Sequence, residues 1–297
     1  MATDRLRPIG VFDSGVGGLS ILRALRAELP QEDFVYFSDA GHAPYGEKTT
    51  AFVAARSLAI ADALLQQDRI KALVVACNTA TAAAVHLLRA RHPGLPVVGV
   101  EPALKPAAAL SRTGHVAVLA TRGTLASAKY AALEASLQDR ATFVRVPCDG
   151  LAAAIEADDQ PRVQALCANY TREVCCFGNG PGEVDTLVLG CTHYPFAADV
   201  FRALLGPGVQ LVETGQPVAR QTRRRLEAQG MLNDAGSGQV VLRTSGDPAA
   251  LQAAAARWLG DSANVELRNC GRGGLRSWSG YDAARSGRVA GSSNGGV

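Results

Sequence analysis

A chain of 297 residues, 47% of them hydrophobic, carries enough apolar material for one large domain or two ordinary ones. Its net charge of +3 argues against a nucleic acid as partner, and no apolar run is long enough to span a bilayer. Seven cysteines, odd in number, without C-x-x-C spacing and behind no signal peptide, argue against a disulfide framework and for a reducing cytoplasm.

Residues 9–12 read as a first strand, and Leu19, Leu22, Leu25 and Leu29 recur behind it at helical spacing. Between them, Asp13-Ser14-Gly15-Val16-Gly17-Gly18 departs from a dinucleotide cradle: Ser20 stands at the third glycine position, and Asp13 would repel a pyrophosphate. The turn suits close backbone approach by a small carboxylate ligand at a helix N-terminus, with Asp13 and Ser14 facing a cleft. A plain helix cap is the other reading of Asp13. Residues 34–37 form a second strand and enter a turn-rich loop that ends in Pro44-Tyr45-Gly46. Loops at strand ends collect binding residues, although a tyrosine by default is a packed aromatic. A helical pattern over 50–67 leads to Leu73-Val74-Val75 and then Ala76-Cys77-Asn78-Thr79. A helix starting near Thr79 or Thr81 would set its dipole at the Cys77 thiol and lower its pKa.

Residues 96–100 add a strand, and Glu101-Pro102 with Lys105-Pro106 mark a crossing between domains. The layout then restarts. Residues 115–120 are a strand, Thr121-Arg122-Gly123-Thr124 stands where Asp13-Ser14-Gly15 stood, and residues 142–146 form another strand. Helical runs reach Glu156 and cover 161–176, after which Leu187-Val188-Leu189 ends in Gly190-Cys191-Thr192-His193. The repeated series predicts an α/β fold of two pseudo-symmetric domains with central, mostly parallel sheets and an active site in the cleft between them. The expected first domain is residues 1–99 with 210–267, the second 100–209, and the Gly/Ser/Arg-rich tail 268–297 is expected to be disordered.

Two strands that each end in one cysteine would present Cys77 and Cys191 to the same cleft. Inversion of a stereocentre needs such a pair, one group removing a proton from one face while the other delivers a proton to the opposite face. A lone buried cysteine is ordinarily an inert packing residue, so the repetition carries the argument. His193 lies two residues from Cys191, within reach of a proton-shuttling role. Only that pair approaches metal-ligand spacing, so no metal site is expected.

The segments Phe12-Asp13-Ser14-Gly15-Val16-Gly17-Gly18, Pro44-Tyr45-Gly46, Ala76-Cys77-Asn78-Thr79-Ala80 and Gly190-Cys191-Thr192-His193-Tyr194-Pro195 resemble the signatures of the cofactor-independent glutamate racemases. The resemblance implies that Cys77 serves the D-enantiomer and Cys191 the L-enantiomer of glutamate. Asp13 would shift protons at Cys77, His193 would do so at Cys191, and Glu156 would assist. Asp13, Ser14, Tyr45, Gly46, Asn78, Thr79, Thr121, Thr192 and His193 would hold the substrate through hydroxyl, amide and backbone groups. No cofactor is implied. The four lysines, at 48, 71, 105 and 129, include none at a strand tip beside a phosphate cradle that could serve pyridoxal phosphate. Two positions depart from the family pattern: Asp149 replaces a proline, and Glu213-Thr214-Gly215 replaces Asp-Ser-Gly. The product, D-glutamate, would feed peptidoglycan synthesis, and with it cell-wall biogenesis and cell shape, in a bacterial cytoplasm. The expected partner is the small-molecule substrate, with no nucleic acid and no membrane; the sequence leaves a homodimer open.

Three other readings remain at this point. A racemase of aspartate or a hydantoin would keep both cysteines and change the pocket. A thiol hydrolase would need one cysteine and form a covalent adduct. A binding protein on the same two-domain cleft would turn nothing over.

Overall fold

Strands buried on both faces organise the molecule. The computed structural model describes residues 4–174, 176–260 and 265–267. In chain order the first half runs β1 (Ile9–Asp13), α1 (Leu19–Glu28), β2 (Phe34–Ser38), α2 (Thr50–Gln67), β3 (Ala72–Val75), α3 (Asn78–Arg91) and β4 (Val97–Gly99). After α4 (Leu104–Leu110) come β5 (His115–Ala120), α5 (Arg122–Leu125), α6 (Ala128–Ala135), β6 (Thr142–Pro147), α7 (Leu151–Glu156), α8 (Gln160–Arg172), β7 (Thr186–Leu189), α9 (Ala198–Leu205) and β8 (Gln210–Val212). The chain finishes with α10 (Gly215–Glu227), β9 (Val240–Thr244), α11 (Pro248–Leu259) and β10 (Val265–Leu267). Along β1, Ile9 and Val11 enter one core with α1 while Phe12 enters another with α2 and α3. Along β5, Ala117 and Leu119 face α7 and α9, and Val116 and Val118 face α4 and α6. Side chains alternate across a strand, so an aliphatic run with both faces occupied demands helices on both sides.

Two sheets result, in the orders β10-β9-β2-β1-β3-β4 and β6-β5-β7-β8, and every strand pairing is parallel. The blocks β2-β1-β3-β4 and β6-β5-β7-β8 share one topology, so β1 and β5 occupy equivalent places, as do β3 and β7. The pseudo-symmetry anticipated from the repeated series is therefore real at the level of strand order. Cys77 and Cys191 each follow their strand by two residues.

The return to the first sheet comes later than residue 210. β8 pairs with β7 in the register Thr186↔Gln210, Leu187↔Leu211 and Val188↔Val212, and Val212 shares a core with Val188. The crossing falls instead at α10, whose Val218, Ala219 and Leu226 join the core of α1. The helix expected over 161–176 ends at Arg172, and the short 3-10 turn Tyr194–Ala197 precedes α9. The tail 268–297 and its expected disorder lie outside the described residues. No helix among the described residues is long and apolar enough to cross a membrane.

Candidate active site

The carboxyl ends of β1 and β3 in one sheet and of β5 and β7 in the other open onto a single cavity of about 590 Å³. Ser14, Tyr45, Gly46, Cys77, Asn78 and Thr79 line it from the first sheet's side, and Thr121, Glu156, Cys191, Thr192 and His193 from the second. Of the residues singled out in the sequence, Asp13 alone lies just behind this wall, wholly buried at the tip of β1.

Cys77 caps α3. Its sulfur accepts from Ala80 N–H at 3.5 Å, and its thiol donates to Ser14 Oγ at 3.7 Å. The helix start was expected to lower its pKa, and the structure reverses that expectation. Burial, reinforced by the Asp13 charge, outweighs the Ala80 and Ser14 hydrogen bonds and pushes the thiol up to about 12. Cys77 is therefore a thiol at neutral pH. Burial also raises the carboxyl of Asp13, against the opposing charge of His193 and the donated Gly15 N–H at 3.0 Å. Thr192 donates from Oγ1 to Asp13 Oδ1 at 3.5 Å, tying the tip of one sheet to the tip of the other.

Cys191 is built differently. His193 Nδ1 lies 3.7 Å from its sulfur, and His193 Nε2 lies 2.6 Å from Glu156 Oε2. Burial disfavours the imidazolium, but Cys191 and Glu156 at the two ring nitrogens outweigh it and hold the His193 pKa well above the ordinary value. Glu156 is the reciprocal case: burial opposes its charge, while His193 and the Val16 N–H overcome that and keep its carboxyl below the usual range. Sulfur, imidazole and carboxylate thus form a relay, with the carboxylate orienting the ring.

The glycine turn after β1 also receives a carboxylate from within the chain. The carboxylate seated on it belongs to Glu156, whose two oxygens accept from Val16 N–H at 3.1 and 3.0 Å. A Cβ on Gly15 would sit 2.5 Å from Glu156, and one on Gly17 would sit 2.3 Å from His193 Nδ1. Only glycine leaves room for the relay from the opposite sheet to lie against this backbone. Ser20 Oγ reinforces the same contact by donating to Thr192 O at 2.8 Å.

Tyr45 lines the cavity, but its hydroxyl donates to Asp39 Oδ2 at 2.6 Å, so it contributes wall rather than a free hydroxyl. Gly46 lies opposite Thr121, with 3.6 Å between a Cβ built on it and Thr121 Cβ. Thr121 caps α5 and shares its hydroxyl with Thr124 Oγ1 at 2.9 Å. Asn78 is the most telling of the polar residues. Both amide atoms are buried at the cavity wall without a hydrogen-bond partner among the described residues. A buried amide left unpaired is costly, and a bound polar ligand would satisfy it.

Some residues of the site escape a reading of the sequence. Asp39, wholly buried, accepts from Tyr45, from Arg56 at 2.5 and 3.0 Å, and from Ser245 Oγ at 2.7 Å, fixing the Tyr45 loop. Its place just past the tip of β2 is a signal equivalent to that of Asp13, whereas nothing in the sequence marks Arg56 or Ser245. Cys148, Arg122 and Asp149 also line the cavity. Glu213 and Thr214, the other departure from the family pattern, do not. None of the four lysines lines it, and among the described residues no cluster of three or more His, Cys, Asp or Glu is arranged for a metal.

Two parallel α/β units with equivalent topology thus bring Cys77 and Cys191 to a shared cavity, and comparison with known proteins places this architecture among the racemases. The chain matches the Asp/Glu/Hydantoin racemase family over residues 18–222, and it belongs to that family. It is 46% identical over 262 residues to the glutamate racemase of Ectopseudomonas mendocina, a match that covers 88% of this chain and 97% of the other. Among solved structures it resembles glutamate racemase isoform RacE1 of Bacillus anthracis, at 29% identity and a TM-score of 0.78 over 89% of this chain and 97% of that one. It also resembles the Escherichia coli glutamate racemase in complex with L-glutamate and the activator UDP-MurNAc-ala, at 31% identity and a TM-score of 0.74, with the same coverage of the two chains.

Proposed function

We propose that the protein interconverts L- and D-glutamate by proton transfer between Cys77 and Cys191, without a cofactor, and that the D-glutamate supplies peptidoglycan synthesis in a bacterial cytoplasm. One observation carries the reading: Cys77 and Cys191, from topologically equivalent strand ends, line one cavity, Cys77 beside Ser14 and Cys191 beside His193. The names of the relatives favour glutamate over other α-amino acids.

The resting protonation suggests a direction. Cys77, held as a thiol, is placed to donate, which leaves Cys191 as the base for the L-enantiomer. For the L-enantiomer, Cys191 Sγ takes the α-proton while the Cys77 S–H proton passes to the opposite face of the same carbon. The electron pair left by the first step forms the new C–H bond in the second, and the two sulfurs exchange protonation. In the return direction Cys77, left as thiolate once its proton is on the carbon, takes the α-proton and Cys191 gives its proton to the opposite face, with Asp13 behind Cys77 and His193 behind Cys191. The unpaired Asn78 amide, with Ser14, Thr79, Thr121 and Thr192, would hold the carboxylates and ammonium. General acid–base assistance contributes on the order of 10²- to 10⁴-fold per group, and fixed donors around the developing charge must contribute the rest.

The test is incubation with L-glutamate in deuterated water, with circular dichroism following optical activity and mass spectrometry following α-deuterium. Loss of optical activity together with deuterium in the product supports the two-base reading. Cys77→Ala and Cys191→Ala should each abolish racemisation while leaving glutamate binding measurable by calorimetry. No racemisation and no exchange by the unaltered protein would refute the proposal. A trapped thioester would favour a hydrolase instead.

A further inference from the structure

Opposite charges meet in two pairs at the cavity wall, and the pairs differ in place. His193 with Glu156 is the inner one, with side chains 8% and 25% exposed. Arg122 with Asp149 is the outer one, with Nη2 2.5 Å from Oδ2 and side chains 67% and 60% exposed. The second pair therefore stands at the mouth. Its partners come from adjacent strand ends: Ala120 of β5 is in register with Pro147 of β6, Arg122 opens α5, and Asp149 follows Cys148. Tyr170 donates its hydroxyl to Asp149 O at 2.5 Å, which fixes the backbone that carries the carboxylate.

Among the described residues, Arg122 is the only arginine or lysine that lines the cavity. The charge of His193 is taken up by Glu156 and faces Cys191. An acidic amino acid approaches with one net negative charge, and Arg122 is the side chain at the entrance able to attract it as a whole charge. Asp149 largely cancels that attraction, and it stands where the glutamate racemase pattern has proline.

We propose that Arg122 and Asp149 form a charge selector at the cavity mouth, in which Arg122 draws in the anionic substrate and Asp149 holds that attraction down. The inference rests on the reading of the cavity as a glutamate site. A unit charge met about 8 Å away in water changes an encounter by roughly two- to threefold. The Debye length is of similar size at physiological ionic strength, so added salt erases the effect.

The experiment measures kcat and KM for both enantiomers, at low and high ionic strength, in Arg122→Gln, Asp149→Asn and the double variant. Calorimetric binding of L-glutamate gives a readout independent of turnover. At low salt, Asp149→Asn should raise kcat/KM roughly two- to threefold, and Arg122→Gln should lower it by a similar factor. The double variant should return near the starting value. The changes should lie in KM and vanish at high salt. Enantiomers have equal free energies, so kcat/KM must move by one factor in both directions, which checks the data internally.

Opposite signs are the signature, because a bridge that only held two loops together would respond in the same sense to the loss of either partner. Shifts of the same sign, shifts that survive salt, or no shift at all would overturn the selector and leave the racemase reading intact. An unaltered protein that neither binds nor racemises glutamate would overturn both.

Discussion

Replacing Glu156 by glutamine removes one charge and keeps the side chain's length. In the structure Glu156 Oε2 lies 2.6 Å from His193 Nε2, and both carboxylate oxygens accept from Val16 N–H. Glutamine retains one oxygen for these contacts but carries no charge to oppose the imidazolium. A hydrogen bond to a charged group contributes about 1.5–3 kcal/mol, and about 1.4 kcal/mol of activation free energy is tenfold in rate. Realised fully in the step where His193 supports Cys191, the loss lowers kcat roughly 10- to 100-fold. The pH profile should respond as well. Burial works against the imidazolium, and the Cys191 and Glu156 contacts raise its pKa despite that, so removing the Glu156 charge lets the pKa fall. The basic limb that reports loss of the His193 proton should therefore move to lower pH. Circular dichroism of racemisation from each enantiomer, across pH, measures both quantities. An unchanged kcat with an unmoved limb would refute the relay. A reduced kcat with an unmoved limb would mean that Glu156 acts only by holding the glycine turn.

Gly17→Ala should leave the far-ultraviolet spectrum unchanged and reduce kcat by about 100-fold or more, because its Cβ would meet His193 Nδ1 at 2.3 Å and displace the ring from Cys191. Asp185 carries an acid-stability prediction. Burial opposes its charge, but hydrogen bonds from Ser111, Arg112, Thr113 and Thr186 outweigh it and hold its pKa at about 2 against an ordinary 3.8. The stability it supplies is complete above the ordinary value and is lost as pH falls through about 2, so urea denaturation should separate Asp185→Asn from the unaltered protein at neutral pH and converge near pH 2. Lys71→Met should destabilise by about 3–5 kcal/mol in the same assay, since it leaves Glu32 buried without its partner 2.5 Å away. The kcat of the folded Lys71→Met protein should not change, because the pair lies at the amino ends of the strands, opposite the cavity.

What the sequence determined by itself is local and periodic. Aliphatic runs at 9–12, 73–75, 115–120 and 187–189 read as buried strands, and the helical spacing between them points to parallel crossovers. The order of those elements, repeated once with a cysteine two residues past the third strand of each series, was enough to single out Cys77 and Cys191. The tertiary structure decided everything that depends on which groups meet from distant parts of the chain. Residue 210 begins a strand of the second sheet because its partner, β7, is already placed there. Glu156 lies against the turn after β1, 140 positions away in sequence, and this contact leaves no room for a side chain at Gly15. Helix position alone predicts a lowered Cys77 pKa. Burial beside Asp13 raises it, because desolvation depends on the whole packed environment while a helix dipole acts within a single turn.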